Sequence, residues 1–181
     1  AASGRQPLQD LIVGTMLPGA RLLPEAAVVA DSDVIVLAVP LSKVRELDLD
    51  ALSDKVVVDA MNHWYPVDGN LDGLTEGGSS SDWVAALNPR MRLVKSLNHL
   101  GYHDMETDAR PVGHAERRGV AVASDDPGAN DIVAGLLNDL GFDPVELPAA
   151  VGVHLQGDGP VFGRWVDAPG LRSAIASATE R

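Results

Sequence analysis

The residues best equipped for chemistry stand in two short stretches. Asn98-His99-Leu100-Gly101-Tyr102-His103-Asp104 gathers two imidazoles, a phenol, an amide and a carboxylate, and Asn62-His63-Trp64-Tyr65 repeats the theme upstream. His99 and His103 are four positions apart, so a helix would put them on one face beside Asp104, a spacing a metal could use. Gly101 weakens any such helix, and no metal is expected. A substrate-facing wall suits the cluster better, with His63, Trp64 and Tyr65 opposite. The plain structural alternative is a set of packed, hydrogen-bonded side chains, since Trp and Tyr usually belong to a core with one polar handle. Asp125-Asp126-Pro127 reads as a helix N-cap, because two adjacent carboxylates diverge. The chain has no cysteine, hence no thiolate ligand, thiol nucleophile or disulfide. No Ser-His-Asp or nucleophile-elbow pattern is visible.

Both stretches follow apolar runs. Asp33-Val-Ile-Val-Leu-Ala-Val39 and Val56-Val-Val-Asp-Ala60 are β-branched and nearly unbroken, the pattern of strands buried on both faces of a parallel sheet. Pro40 stops the first by removing a backbone donor. Further strands are expected at 92–96, 119–124 and 144–147, with a short one at 20–23. Helices are expected over 5–16, 24–30, 40–52, 83–87 (capped by Asp82), 127–140 and from 168. Residues 65–81 are rich in Gly, Asp, Asn and Ser, an excursion too long for an ordinary turn. Strands alternating with helices point to an α/β fold: a Rossmann-like, doubly wound, mainly parallel sheet with helices on both faces. The reading is one dinucleotide-binding domain over 1–181, with a C-terminal extension from about 149. In such a sheet ligands bind outside the carboxyl ends of the strands. Ala38-Val39-Pro40 and Ala60-Met61-Asn62 are therefore the corners where chemistry is expected.

Hydrophobic residues make up 45% of the 181 positions, which suits a globular chain. Net charge is −12, from 14 basic and 26 acidic residues, and this disfavours nucleic acid or an anionic membrane as partner. No run approaches the ~18 apolar residues of a membrane span, and no basic-then-apolar leader opens the chain. A cytoplasmic protein acting on small molecules is expected.

Six collinear stretches carry a likeness: Asp33-Val-Ile-Val-Leu-Ala-Val-Pro40, Val57-Val-Asp-Ala-Met-Asn62, Val94-Lys-Ser-Leu-Asn98, Ser124-Asp-Asp126, Leu140-Gly-Phe-Asp-Pro144 and Gly159-Pro-Val-Phe-Gly163. In them the chain resembles the coenzyme F420-dependent NADP oxidoreductases, a family of dinucleotide-binding proteins. The resemblance implies hydride transfer between NADP and a second carrier or small substrate, with coenzyme F420 the family's candidate, in a homodimer. It implies that Ser3 and Arg5 read the 2′-phosphate of NADP; their plain reading is a polar terminus. Ala38, Val39 and Pro40 would lie against the nicotinamide, or simply end a strand. Asn62 and Asn98 would approach the cofactor's ribose or ring, unless they satisfy their own turns. His63, His99, Tyr102, His103, His154 and Phe162 would line the substrate pocket. No catalytic residue is implied, because the cofactors carry the chemistry and the protein holds two flat rings face to face.

One departure qualifies the likeness. The family opens with a strand, a G-x-G-x-x-G turn and its helix, and nothing here corresponds. Gly157-Asp-Gly159-Pro-Val-Phe-Gly163 has one residue too many before its last glycine and follows no clear strand, so it reads as a turn. The missing unit is expected upstream of Ala1. A chain lacking that pyrophosphate-binding turn would instead be a non-enzymatic Rossmann-derived interaction module, the rival expectation.

Overall fold

The computed structural model describes residues 7–17 and 19–180. Among them, strands β1 (Val34–Leu37), β2 (Val56–Asp59), β3 (Arg92–Ser96), β4 (Gly119–Ala123) and β5 (Asp143–Leu147) form one sheet in chain order. The helices are α1 (Pro7–Met16), α2 (Glu25–Asp31), α3 (Tyr65–Asp68), α4 (Ser80–Leu87), α5 (Tyr102–Thr107), α6 (Pro127–Asp139) and α7 (Ala168–Thr179). Segments Leu41–Glu46, Leu49–Leu52 and Ala149–Leu155 are 3-10 turns. No described helix is long and apolar enough to cross a membrane.

Alternation along the strands explains the layers. On β2, Val57 joins Ile35 and Leu37 of β1 beneath Leu41, Val44, Trp83 and Val84. Its neighbours Val56 and Val58 face the other way, with Val94, Val120 and Val122, onto Ala129, Val133 and Leu137 of α6. Ala121, Ala123 and Val145 pack beneath Leu155, Val161 and the α7 residues Leu171 and Ile175. Both faces are covered at β2 and β4, which accordingly carry nearly unbroken apolar runs, whereas Val36 of β1 is 46% exposed. The α/β, mainly parallel, Rossmann-like architecture read from the sequence is borne out.

Its details differ in three places. β1–β2, β2–β3 and β4–β5 are parallel, but β3 and β4 run antiparallel, with Lys95 opposite Ala123 and Ser96 opposite Val122. Parallel neighbours need a crossover, usually through a substantial helix, and the connection between β3 and β4 holds only the six residues of α5. Residues 20–23 form no strand. The helix expected over 40–52 divides where Leu47 turns extended and Asp48 starts a new turn, its carboxylate accepting from Ala51 N–H at 3.3 Å. The cap of α4 is Ser79, which accepts from the N–H of Asp82, in place of Asp82 itself. Asp126 does cap α6, accepting from Ala129 N–H at 3.0 Å, and Gly141 follows that helix at φ +96°, a conformation that favours glycine.

Candidate functional site

A cleft of about 1510 Å³ opens outside the carboxyl ends of β2 and β3. Its first wall is 62–66, leaving β2; its second is the excursion 70–78; its third, 153–164, comes from the last part of the chain. Trp64, Tyr65 and Phe162 supply flat apolar surface, His63 and His154 ring nitrogens, and Asn62 an amide. The charged residues on it are Glu76, Asp158 and Arg164.

Beneath the cleft lies a buried ion pair. Asp59 ends β2 and stands in register with Lys95 of β3; their side chains are 0% and 1% exposed and 3.2 Å apart. Lys95 Nζ also donates to the Met61 carbonyl and to Ser80 Oγ. Asp59 accepts from Met61 N–H at 3.0 Å and from Ser81 Oγ at 2.7 Å. Burial pushes the Lys95 ammonium below its ordinary value, while the Asp59 charge works the other way. These bonds tie the ends of β2 and β3 to the start of α4, which fixes where the first wall begins.

Each wall has its own fastening. Asp68 accepts from Trp64 N–H at 2.8 Å and from Ser42 N–H at 2.9 Å. Burial pushes its carboxyl up, but those backbone donors more than offset that and hold it below the usual carboxylate value. His63 Nε2 donates to the Gly69 carbonyl at 2.8 Å, which leaves Nδ1 as the free nitrogen. Gln156 grips the excursion twice: Oε1 accepts from Ser80 N–H at 2.6 Å, and Nε2 donates to the Gly78 carbonyl at 3.1 Å. The turn that follows is so tight that a Cβ on Gly159 would stand 1.9 Å from the His154 carbonyl oxygen.

Of the residues singled out in the sequence, Asn62, His63, His154 and Phe162 meet in this cleft. Asn98 is 5% exposed and sits behind Asn62, donating to its Oδ1 at 2.9 Å. His99 does not line the cleft. Leu97 takes a left-handed φ of +65°, and His99 is 1% exposed, its Nε2 accepting from Ala121 N–H at 3.4 Å. Burial, with Arg118 and Lys95 nearby, lowers its pKa to about 3, so the ring is neutral. Tyr102 and His103 are exposed on α5, their rings 4.0 Å apart and away from the cleft. Ala38, Val39 and Pro40 end β1 outside it, with Val39 packed on the first core cluster. Ser3 and Arg5 lie outside the described residues. Among the described residues no group of three or more His, Asp or Glu could hold a metal ion. Sequence reasoning missed Gln156, Arg164 and the Asp59–Lys95 pair. Two opposite charges inside adjacent apolar strands were the available signal for the pair.

The family model for coenzyme F420-dependent NADP oxidoreductases matches residues 6–63, a span that ends on the cleft's Asn62 and His63. The likeness drawn from the sequence is borne out there. No curated protein matches the chain. A solved structure of a hypothetical protein from Sinorhizobium meliloti is 26% identical with a TM-score of 0.69, covering 88% of this chain and 78% of that one. A candidate F420-dependent NADP-reductase from Arthrobacter sp. FB24 is 22% identical with a TM-score of 0.56, covering 87% of this chain and 65% of its own. At that identity the likeness is one of fold.

Proposed function

We propose that the protein is an NADP-dependent oxidoreductase whose cleft holds the nicotinamide ring against a second flat carrier, coenzyme F420 or a comparable small acceptor. The observation that carries this is the position of the cleft. An aromatic and amide-lined hollow opens at the carboxyl ends of parallel strands, where α/β sheets take their ligands, and the family match runs to its edge. The family match does not favour the interaction-module reading.

The residues present fit the ring end of a dinucleotide. Trp64, Tyr65 and Phe162 offer flat surface, and Asn62 and His63 offer hydrogen bonds at its floor. For phosphates the cleft supplies Arg164, set against Glu76 and Asp158; Arg5 would be a second cation near the 2′-phosphate. The cofactor, when bound, would give the hydride as NADPH or take it up as NADP+. The chain's own part is to orient: the aromatic walls stack and exclude water, Asn62 fixes the rotation of a ring, and His63, its Nε2 committed to the Gly69 carbonyl, turns Nδ1 toward the ligand. Such positioning accounts for much of the rate when cofactors do the chemistry. The homodimer and the cytoplasmic setting belong to the same proposal.

NADPH titration followed by its nicotinamide fluorescence tests the reading. Saturable binding at micromolar concentration, weakened about ten-fold in Trp64→Ala and in Asn62→Ala, is the expected outcome. Binding that neither substitution alters, or no binding at millimolar NADPH, removes it.

A further inference from the structure

Asn98 never reaches the cleft, yet its bonds decide what Asn62 presents there. We infer that Asn98 is a positioning residue: it locks the Asn62 amide in one orientation and so sets the hydrogen-bonding character of the cleft floor toward a bound ring. The inference rests on the oxidoreductase reading for its ligand, although the lock belongs to the protein alone.

Two main-chain carbonyls settle both amides, because a carbonyl can only accept. Asn98 Nδ2 gives one hydrogen to the Leu155 carbonyl at 2.8 Å and the other to Asn62 Oδ1 at 2.9 Å. Turning the Asn98 amide over would set its oxygen against two acceptors. Asn62 Nδ2 in turn donates to the Asn98 carbonyl at 2.8 Å, so the Asn62 amide is held at both ends. A primary amide has two N–H donors and about two acceptor sites on its oxygen. With these bonds made, Asn62 keeps one donor and one acceptor, each at a fixed angle, on a half-buried side chain lining the cleft. Asn98 is almost wholly enclosed, and its Oδ1 has no partner among the described residues. That enclosure suits a residue holding a neighbour still better than one sampling ligand. A pre-set amide spares the ligand the cost of ordering it.

The competing role is structural. Through Leu155, Asn98 also fastens the third wall, and on that reading its loss acts there alone, without Asn62. A double-mutant cycle separates the two. Asn98→Ala should weaken NADPH binding roughly three- to ten-fold when Asn62 is present, the scale of one hydrogen bond, and should add nothing in an Asn62→Ala background. Equal losses in both backgrounds overturn the inference. A second readout needs neither ligand nor activity. In 15N–1H spectra of the unliganded protein the Asn62 side-chain hydrogen given to the Asn98 carbonyl should exchange with solvent at least ten-fold more slowly than in free asparagine. Asn98→Ala, which keeps that carbonyl but removes the donor to Asn62 Oδ1, should speed its exchange; an unchanged rate in that variant overturns the inference. Free-asparagine exchange in the unmodified protein overturns the lock without any variant having to fold. If the unmodified protein takes up no NADPH, the oxidoreductase reading fails, and these spectra still decide whether the amide is locked.

Discussion

Asp59 and Lys95 show how much one enclosed charge can matter. Each is costly to bury alone and tolerable together. Lys95→Met leaves Asp59 uncompensated and should lower unfolding free energy by about 3–5 kcal/mol in urea titrations; Asp59→Val added to Lys95→Met should recover part of it. A second residue-scale expectation concerns acid. An unfolded histidine titrates near 6.5, whereas folded His99 does so at about 3. Between those values the unfolded chain binds more protons, so the contribution of His99 is complete above pH 6.5 and is lost as pH falls toward 3. His99→Gln should flatten that part of the stability curve, visible in urea midpoints at pH 7 and pH 4. Asn62, His63, His154 and Phe162 were legible in the sequence because each follows an apolar run or sits in a glycine-rich turn. His99 was not, since the left-handed Leu97 turns its neighbours inward, and no local pattern announces a left-handed leucine.

Strands were the most readable elements, because burial on two faces leaves them mostly apolar, with Asp59 and Lys95 the paired exceptions inside β2 and β3. Their direction was less so. Whether β4 runs with or against β3 depends on how the 97–118 connection travels, and that is a matter of packing distant in sequence. The excursion between α3 and α4 was recognisable as a departure from regular structure, yet its fastening by Gln156 was invisible, since glutamine there carries no motif. The glycine-rich turn beyond it gives a sharp test at this scale. Gly159→Ala would drive a methyl group into the His154 carbonyl, so the turn must open and carry His154 and Phe162 with it. Thermal unfolding should show a loss of about 1–3 kcal/mol, typical of overpacking, together with weaker NADPH binding; an unchanged affinity would mean that the third wall does not touch the ligand.

Across the whole molecule, protection should be graded outward from the middle of the sheet. All four residues of β2 and all five of β4 are buried, whereas Leu11, Ile12 and Met16 of α1 are exposed. Amide exchange should therefore be slowest in β2 and β4, slow only by degrees in β1, and fastest in α1; comparable rates in α1 and β2 would contradict this layering.

The bonds that close the cleft join residues far apart along the chain. Gln156 meets Ser80 across 76 positions, and Asn98 meets Leu155 across 57. Long-range closures of this kind come late in folding, because the entropy of bringing the ends together is spent before any contact rewards it. During synthesis, a nascent chain that has released β1 to β3 from the ribosome can pair those strands, but its pocket still lacks a side. Ligand capture thus waits until residues 153–164 have been made, and a cofactor present in the cell can act as a clasp on the finished fold while having no grip on its precursors.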